Sequence, residues 1–451
     1  MRVLVVSSDR IGRSMAGPGI RYRWFATELA RRFDVTLAIP YATDLELPGV
    51  DVVVRGDTGE RSFRRWAAGF DAIVAQQLGL RTMASLARTD TRTVYDLYVP
   101  YAMEHLGLHG GESTERGRRL LEYQGMNLIQ ETALATGDAF VCASERQRDL
   151  WLGALAALGR IDFEQYERDP TLRALVDVVP FGVEPEPPRH TKQVLKGVVP
   201  GIRESDVVLL WGGGIWNWFD PLTLIRAVGR IAERRDDVKL FFLGVRHPNP
   251  LIEEMAMAAQ AVALADELGL AGRHVFFNEG WVPYEERQNY LLEADLGVST
   301  HFDNVETRFS FRTRVLDYLW AGLPIVTTRG DVLSELVERR GLGRTAEVED
   351  VDGLLAAILE LLEDEGARAA ARDRIAEVRD EFAWPRVVDR LGELIAAPRL
   401  ARRAGRSVLP ALATQHAVLA GRALAERGVL GAAGDVAGMF RRARRGRRVR
   451  R

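Results

Sequence analysis

The sequence predicts an α/β protein of two consecutive domains, each a parallel β-sheet covered by helices on both faces, with a basic helical tail after them. Three observations carry that prediction. At 451 residues the chain has room for two or three domains of about 150 residues, each with its own core. Short apolar runs rich in β-branched residues alternate with helical stretches, as in parallel sheets buried on both sides. The alternation then restarts after a proline-rich stretch near the middle, and the chain shows no solenoid-type repeat.

The first half opens with VLVV (3–6), then Gly17-Pro18-Gly19 and a helix from about Tyr22 to Arg32. DVTLAI (34–39), DVVV (51–54), DAIVA (71–75), TVYDL (93–97) and DAFVC (138–142) read as further strands. Helices over roughly 115–136 and 145–155 complete this half. DVVPFG (177–182) closes it, and Val183–Pro188, with three prolines, reads as a linker. The second half places strands at VVLLWGGG (207–214), VKLFFLG (238–244), HVFF (274–277), DLGVST (295–300) and PIVTT (324–328). Helices are expected near 221–235, 251–268, 284–293, 312–321 and 350–379. The expected division is therefore a first domain over 1–182, a linker and domain entry over 183–206, a second domain over 207–383, a helix over 384–397 and the tail over 398–451.

Composition narrows the class. With 47% hydrophobic and 27% charged residues, the chain is neither collagen-like, nor a disulfide scaffold, nor wholly disordered. Its one cysteine, Cys142, excludes an internal disulfide and a cysteine metal cluster, and suits a reducing compartment. On a buried strand Cys142 reads as core rather than nucleophile. MRVLVVSSDR has too short an apolar run for a signal peptide or a membrane span, so a cytoplasmic location, or attachment to the inner face of the cell membrane, is expected. The net charge of −2 hides a split. The tail from residue 398 carries 14 Arg against Glu426 and Asp435, which is +12, and the 397 residues before it carry 47 basic and 61 acidic side chains, which is −14.

Two such domains face the carboxyl ends of their sheets across a cleft, where open α/β sheets bind ligands. Glycine turns follow the first strand of each domain. The amides around Gly17 and Gly19 and the helix after them suit an anion, with Arg21 and Arg23 close by; the plainer reading is a tight turn with two solvated arginines. Gly212-Gly213-Gly214 lets a ligand approach the backbone of the second domain, and tight loop packing explains it equally well. Trp211, Trp216 and Trp218 surround it, either as stacking surfaces or as core. The densest signal runs from Glu306 through Arg308, Arg312, Thr313, Arg314 and Asp317 to a helix stop at Gly322. Guanidinium forks match diphosphate oxygens and keep their charge. A carboxylate one turn into the helix can accept both hydroxyls of a ribose, whereas the plainer alternative is a surface helix with ion pairs.

LDYLWAGLPIV and VVPFGV, with DAFVCASERQRDLWLG and LLEADLGVST in the expected places, resemble the GT-B glycosyltransferases, specifically the retaining family 4, over roughly residues 1–396. The resemblance implies two Rossmann-like domains facing a cleft, with the helix near 384–397 crossing back onto the first. The first domain would hold the acceptor and the second a nucleotide-diphosphate sugar. It places Asp317 as the ribose ligand and the amides of Arg312 to Val315 along the donor phosphates. Gly213 and Gly214 belong to the donor loop. Phe309 stands where the family has a glutamate for the donor sugar, with Glu306 near enough to substitute. Gly214 and Phe219 stand where the family has an Arg and a Lys for the diphosphate, so Arg312 and Arg314 are expected to take over that charge. Asp96 occupies the place of a catalytic-site histidine, as a cleft carboxylate or as an N-cap; His105 and His109 follow it.

The implied reaction is metal-independent retaining transfer to a glycan or lipid-linked glycan, with Asp96 and Arg312 as catalytic candidates. No Asp-x-Asp or His cluster shows convincing metal spacing, and no cofactor is expected beyond the donor substrate. The alternatives are a GT-B-shaped nucleotide or glycan binding protein without transferase activity, and a sugar-nucleotide epimerase. In the tail, residues 408–430 resemble a surface helix with Leu412, Leu419, Ala423 and Leu430 on one face, and the closing RRARRGRRVRR is polybasic. An anionic membrane is the preferred partner of residues 399–451. Nucleic acid is not expected, because no aromatic interleaving accompanies the charge.

Overall fold

The structure is a computed structural model that describes residues 1–55, 59–76, 78–108, 116–245 and 255–398, with Thr414, Gln415, Ala417, Val418 and Gly421 beyond them. Apart from Pro398 and those five residues the tail lies outside the described residues, as does His109.

Two all-parallel sheets form, as the patterning predicts. The first contains β1 (Arg2–Val6), β2 (Asp34–Ile39), β3 (Val50–Val54), β4 (Ala72–Ala75), β5 (Arg92–Asp96), β6 (Ala139–Cys142) and β7 (Val176–Val178), in the order β3-β2-β1-β4-β5-β6-β7. The second contains β8 (Val207–Trp211), β9 (Val238–Phe242), β10 (Val275–Phe277), β11 (Leu296–Ser299), β12 (Ile325–Thr328) and β13 (Gly343–Ala346), in the order β10-β9-β8-β11-β12-β13. Strand order reverses beside the first strand of each sheet. Val5 pairs with Leu37 on one side and Val74 on the other, and Leu210 pairs with Phe241 and Gly297. The loops after β1 and β8 therefore leave from topological switch points, where such sheets hold ligands.

Several elements differ from expectation for local reasons. Gly17-Pro18-Gly19 is the first turn of a helix over Gly17–Leu29, because proline suits the first helical positions, where its missing N–H costs nothing. The helix expected over 350–379 is two helices, Val351–Glu363 and Glu365–Arg379. Asp364 breaks them apart, its carboxylate accepting from the Ala367 N–H to cap the second. Residues 101–108, which include His105, form a helix. The stretch expected as a linker is fastened to the second domain: the Glu293 carboxylate accepts from the backbone N–H groups of Val194, Leu195 and Lys196 at 2.7–2.9 Å. β13 escapes the sequence because Gly-Arg-Thr-Ala has no apolar run. Glycine is required there, since a Cβ on Gly343 would lie 1.8 Å from the Ile325 carbonyl oxygen.

The chain crosses between the sheets twice, and the crossings lie side by side. Val183 N–H donates to Phe382 O at 2.8 Å, and Trp384 N–H to Val183 O at 3.0 Å. Trp384 opens the helix Trp384–Ala396, which packs on the first domain as the resemblance implies. Its indole is fully buried, stacked on Trp24 and angled against Phe25 and Phe181. Gly182 must be glycine, because a Cβ would meet the Trp384 ring at 2.5 Å. Trp384→Ala is expected to cost about 3–5 kcal/mol of stability, measured by chemical denaturation. A cost near zero would show that this seam does not hold the crossing in place.

Candidate functional site

A cavity of about 500 Å³ lies between the two switch points, within the range of small-molecule sites. Gly17, Tyr98 and Glu104 line it from the first domain, and Gly213, Arg314 and Asp317 from the second.

The second-domain wall is built around Tyr318. Its hydroxyl accepts from Gly212 N–H at 2.8 Å and lies 2.9 and 2.8 Å from the carbonyl oxygens of Leu210 and Val298. This anchors the helix Arg314–Ala321 to the ends of β8 and β11. Gly297 must lack a side chain, since a Cβ would enter the Tyr318 ring at 2.4 Å. The helix stops where expected, with Gly322 in the left-handed region at φ 68°. Its other end opens on the cavity at Thr313, which caps the helix without a side-chain hydrogen bond. Gly213, at φ 92°, needs glycine for that conformation and has open space beside it.

Arg314 is buried at the mouth of this helix. Its Nη2 donates to Gly214 O at 2.8 Å, and its guanidinium lies 4.2 Å from the Trp211 ring centroid and 3.9 Å from that of Phe219. Its Nη1 has no hydrogen-bond partner among the described residues. Burial, with Arg312 close by, pulls Arg314 down to about 9 despite Tyr318 and Asp317, so it stays protonated at neutral pH. Arg312 is differently engaged. Its two Nη atoms donate to Glu306 at 2.9 and 2.6 Å, a buried bidentate pair. Only Nε is left without a hydrogen-bond partner, 3.8 Å from Asp331 Oδ2. Asp317, half-exposed in the cavity, accepts from Arg287 Nε at 3.1 Å. Burial raises the Asp317 carboxyl, and Arg287 opposes the rise.

The cavity thus gathers Gly17, Gly213, Gly214, Glu306, Arg312, Thr313, Arg314 and Asp317. Three expected site residues fall elsewhere. Arg308 is exposed on the short helix Val305–Phe309, outside the cavity wall. Gly19 faces the Arg10 carbonyl oxygen, which a Cβ would approach to 2.3 Å, so its role is helix–loop packing. Asp96 offers no free carboxylate to the cleft. Both its oxygens accept from Arg21, at 2.7 and 3.0 Å, in a fully buried pair. Arg21 also donates to the carbonyls of Pro180 and Val179, so it is neither solvated nor an anion ligand. Trp211 is core, while Trp216 and Trp218 stack on each other at the cavity wall. Cys142 is buried, and burial pushes its thiol up, in keeping with a core residue.

Arg287 and Glu104 were not singled out from the sequence. Arg287 lies between the Tyr284 and Trp320 rings and bridges Asp317 to Glu184. Its one sequence signal is position: it falls three residues after Tyr284 and four before Leu291, on the buried face of its segment.

Comparison with known proteins places this geometry. Residues 206–364 match the family model described as "Glycosyl transferases group 1". Residues 206–364 are thus similar to group 1 glycosyltransferases, and the two facing parallel sheets have the GT-B fold. Solved structures agree on the fold. Sucrose-phosphate synthase from Thermosynechococcus elongatus matches at 15% identity and TM-score 0.60, over 87% of this chain and 98% of its own. WaaG, a glycosyltransferase involved in lipopolysaccharide biosynthesis, matches at 16% identity and TM-score 0.57, over 88% and 100%. Anabaena HepE, in complex with UDP and glucose, matches at 15% identity and TM-score 0.62, over 88% and 99%. No curated protein matches at a significant level. The matched stretch holds Gly213, Gly214, Glu306, Arg312, Thr313, Arg314 and Asp317, and the Arg21–Asp96 pair lies in the other domain. Asp96→Asn is expected to destabilise the protein by about 3–5 kcal/mol, because it leaves the buried Arg21 charge uncompensated. Nucleotide affinity of the folded variant should stay unchanged. Unaltered stability in a denaturation series, or selective loss of nucleotide binding, would return Asp96 to the site.

Proposed function

We propose that the protein is a retaining, metal-independent glycosyltransferase that moves a sugar from a nucleotide-diphosphate sugar to a glycan or lipid-linked glycan of the cell envelope. The observation that carries the donor reading is the place of Arg314. Its guanidinium bonds to the Gly214 carbonyl and stacks on Phe219, the two positions where family resemblance would put the diphosphate cations. One arginine lies against both of those positions, and its buried Nη1 has no hydrogen-bond partner among the described residues. In this reading the Gly213–Gly214 amides and the Thr313 helix end support the phosphates, and Asp317 accepts the ribose hydroxyls. Arg312 acts through Glu306, which it holds rigid for the sugar.

Such a site works by placing donor and acceptor together and by stabilising charge on the departing diphosphate. Arg314 supplies that charge, with no metal assigned a part. HepE holds UDP in the same fold, so UDP is the first nucleotide to try. Arg314→Ala is expected to weaken UDP binding roughly tenfold or more, the worth of a charge-assisted contact, and to abolish hydrolysis and transfer across a nucleotide-sugar panel. Arg314→Lys should not restore them, since an ammonium cannot span Gly214 and the phosphate as a planar fork does. Undiminished affinity in Arg314→Ala would sink the assignment. Nucleotide binding without turnover in the parent protein would favour the binding-only reading, which the pairing of Arg287 and Arg312 with carboxylates supports. Epimer formation without acceptor would favour the epimerase.

The basic tail suits a lipid-linked acceptor at the inner membrane face, where each basic residue near an anionic surface contributes about 1 kcal/mol. Among the described residues no helix is long and apolar enough to cross a membrane. In co-sedimentation with phosphatidylserine vesicles, the full chain should bind in a salt-sensitive way and residues 1–398 should not. Equal binding by both would remove the tail from this role.

A further inference from the structure

We propose that Glu104 is a second sugar-binding carboxyl, reaching from the first domain to hydrogen-bond a hydroxyl of the glycosyl group seated against Glu306. The inference rests on the donor reading above and adds a residue that no motif marks.

Glu104 lies on the helix Tyr101–Leu108 and lines the cavity. That helix comes close to the other domain: a Cβ on Gly107 would lie 3.7 Å from the Trp218 ring. The Glu104 carboxyl has no hydrogen-bond or ion-pair partner among the described residues. Its charged neighbours are Glu306 and Arg312, both on the opposite domain. They satisfy each other through two hydrogen bonds, so they leave no cation for Glu104. A carboxyl partly withdrawn from water and set beside another carboxylate favours its neutral form. Burial, with Glu306 adding to it and Arg312 opposing, pushes Glu104 up to about 8.

At neutral pH the group is then a protonated acid, with one O–H to donate and a carbonyl oxygen to accept. A sugar hydroxyl also donates and accepts, and matches both halves. The carboxyl is half-buried in the cavity wall with no protein partner among the described residues, and a ligand hydroxyl between the domains supplies one.

The test is calorimetric titration of the full chain with UDP, UDP-glucose, UDP-galactose and UDP-N-acetylglucosamine. The quantity read is the affinity gained from the glycosyl group over UDP alone. Glu104→Ala should reduce that gain about tenfold, the worth of a hydrogen bond to a buried polar group, while UDP itself binds unchanged. Glu104→Gln keeps a donor and an acceptor and should retain most of the gain. An undiminished gain in Glu104→Ala overturns the proposal, as does equal loss of UDP and UDP-sugar, which marks a structural role. A parent protein that gains nothing from any of these glycosyl groups also overturns it. Failure of the parent protein to bind UDP at all would instead show that the UDP-donor reading beneath it is wrong.

Discussion

The second-domain side of the cleft depends on one hydroxyl. Tyr318 has a single O–H and two lone pairs, and it places them among the Gly212 N–H and the carbonyls of Leu210 and Val298. These backbone groups belong to the ends of two adjacent strands, where the ladder runs out and polar atoms would otherwise be buried without partners. A phenylalanine would fill the same space and leave them unsatisfied. Two consequences follow. Glycine is forced at position 297, because the ring lies where a Cβ would be. The helix Arg314–Ala321 is also fixed in rotation and height against β8 and β11, so Arg314 and Asp317, one turn apart, enter the cavity from known places. The glycine loop is part of the same arrangement, for Gly212 is the donor that completes it.

Charge inside the cleft is governed by pairing rather than by count. The body of the chain is acidic, yet arginines line its cavity, and most of their charge is already answered. Arg312 is matched to Glu306, and Arg287 to Asp317 and Glu184. Arg314 alone among these has aromatic faces and a carbonyl as neighbours instead of a carboxylate. An anion entering the cavity meets one uncompensated guanidinium beside backbone donors, and that location is more selective than a diffuse positive field.

Much of this was legible in the sequence, and the part that was not has a common cause. Strands buried on both faces show as apolar runs, and a glycine stop shows as Gly322, because both depend on residues close in sequence. The cluster from Glu306 to Asp317 was visible for the same reason. Which of its members are available was not. Arg308 and Arg314 look alike as letters, but one sits on an exposed turn and the other under Trp211. Asp96 reads as a cleft carboxylate at a strand end until Arg21, 75 positions away, closes on it. The Gly17-Pro18-Gly19 turn was misread on a smaller scale: the glycines suggested an anion loop, while the proline between them belonged to a helix start.

Arg287 links the cavity carboxylate Asp317 to the crossing between the domains. Asp317, the ribose ligand in the donor reading, shares Arg287 with Glu184, and Glu184 follows the residue at which the chain first crosses between the domains. Arg287 is held from both faces by aromatic rings, so it has little freedom to favour one carboxylate by moving toward it. Tyr284 itself receives the Trp24 indole N–H from the first domain, and its backbone N–H donates to Arg13 O. A ribose that draws on Asp317 therefore acts on a cation whose other contacts span the domain junction. The cavity carboxylate and the crossing between the domains meet in one guanidinium, a group that cannot lose its charge.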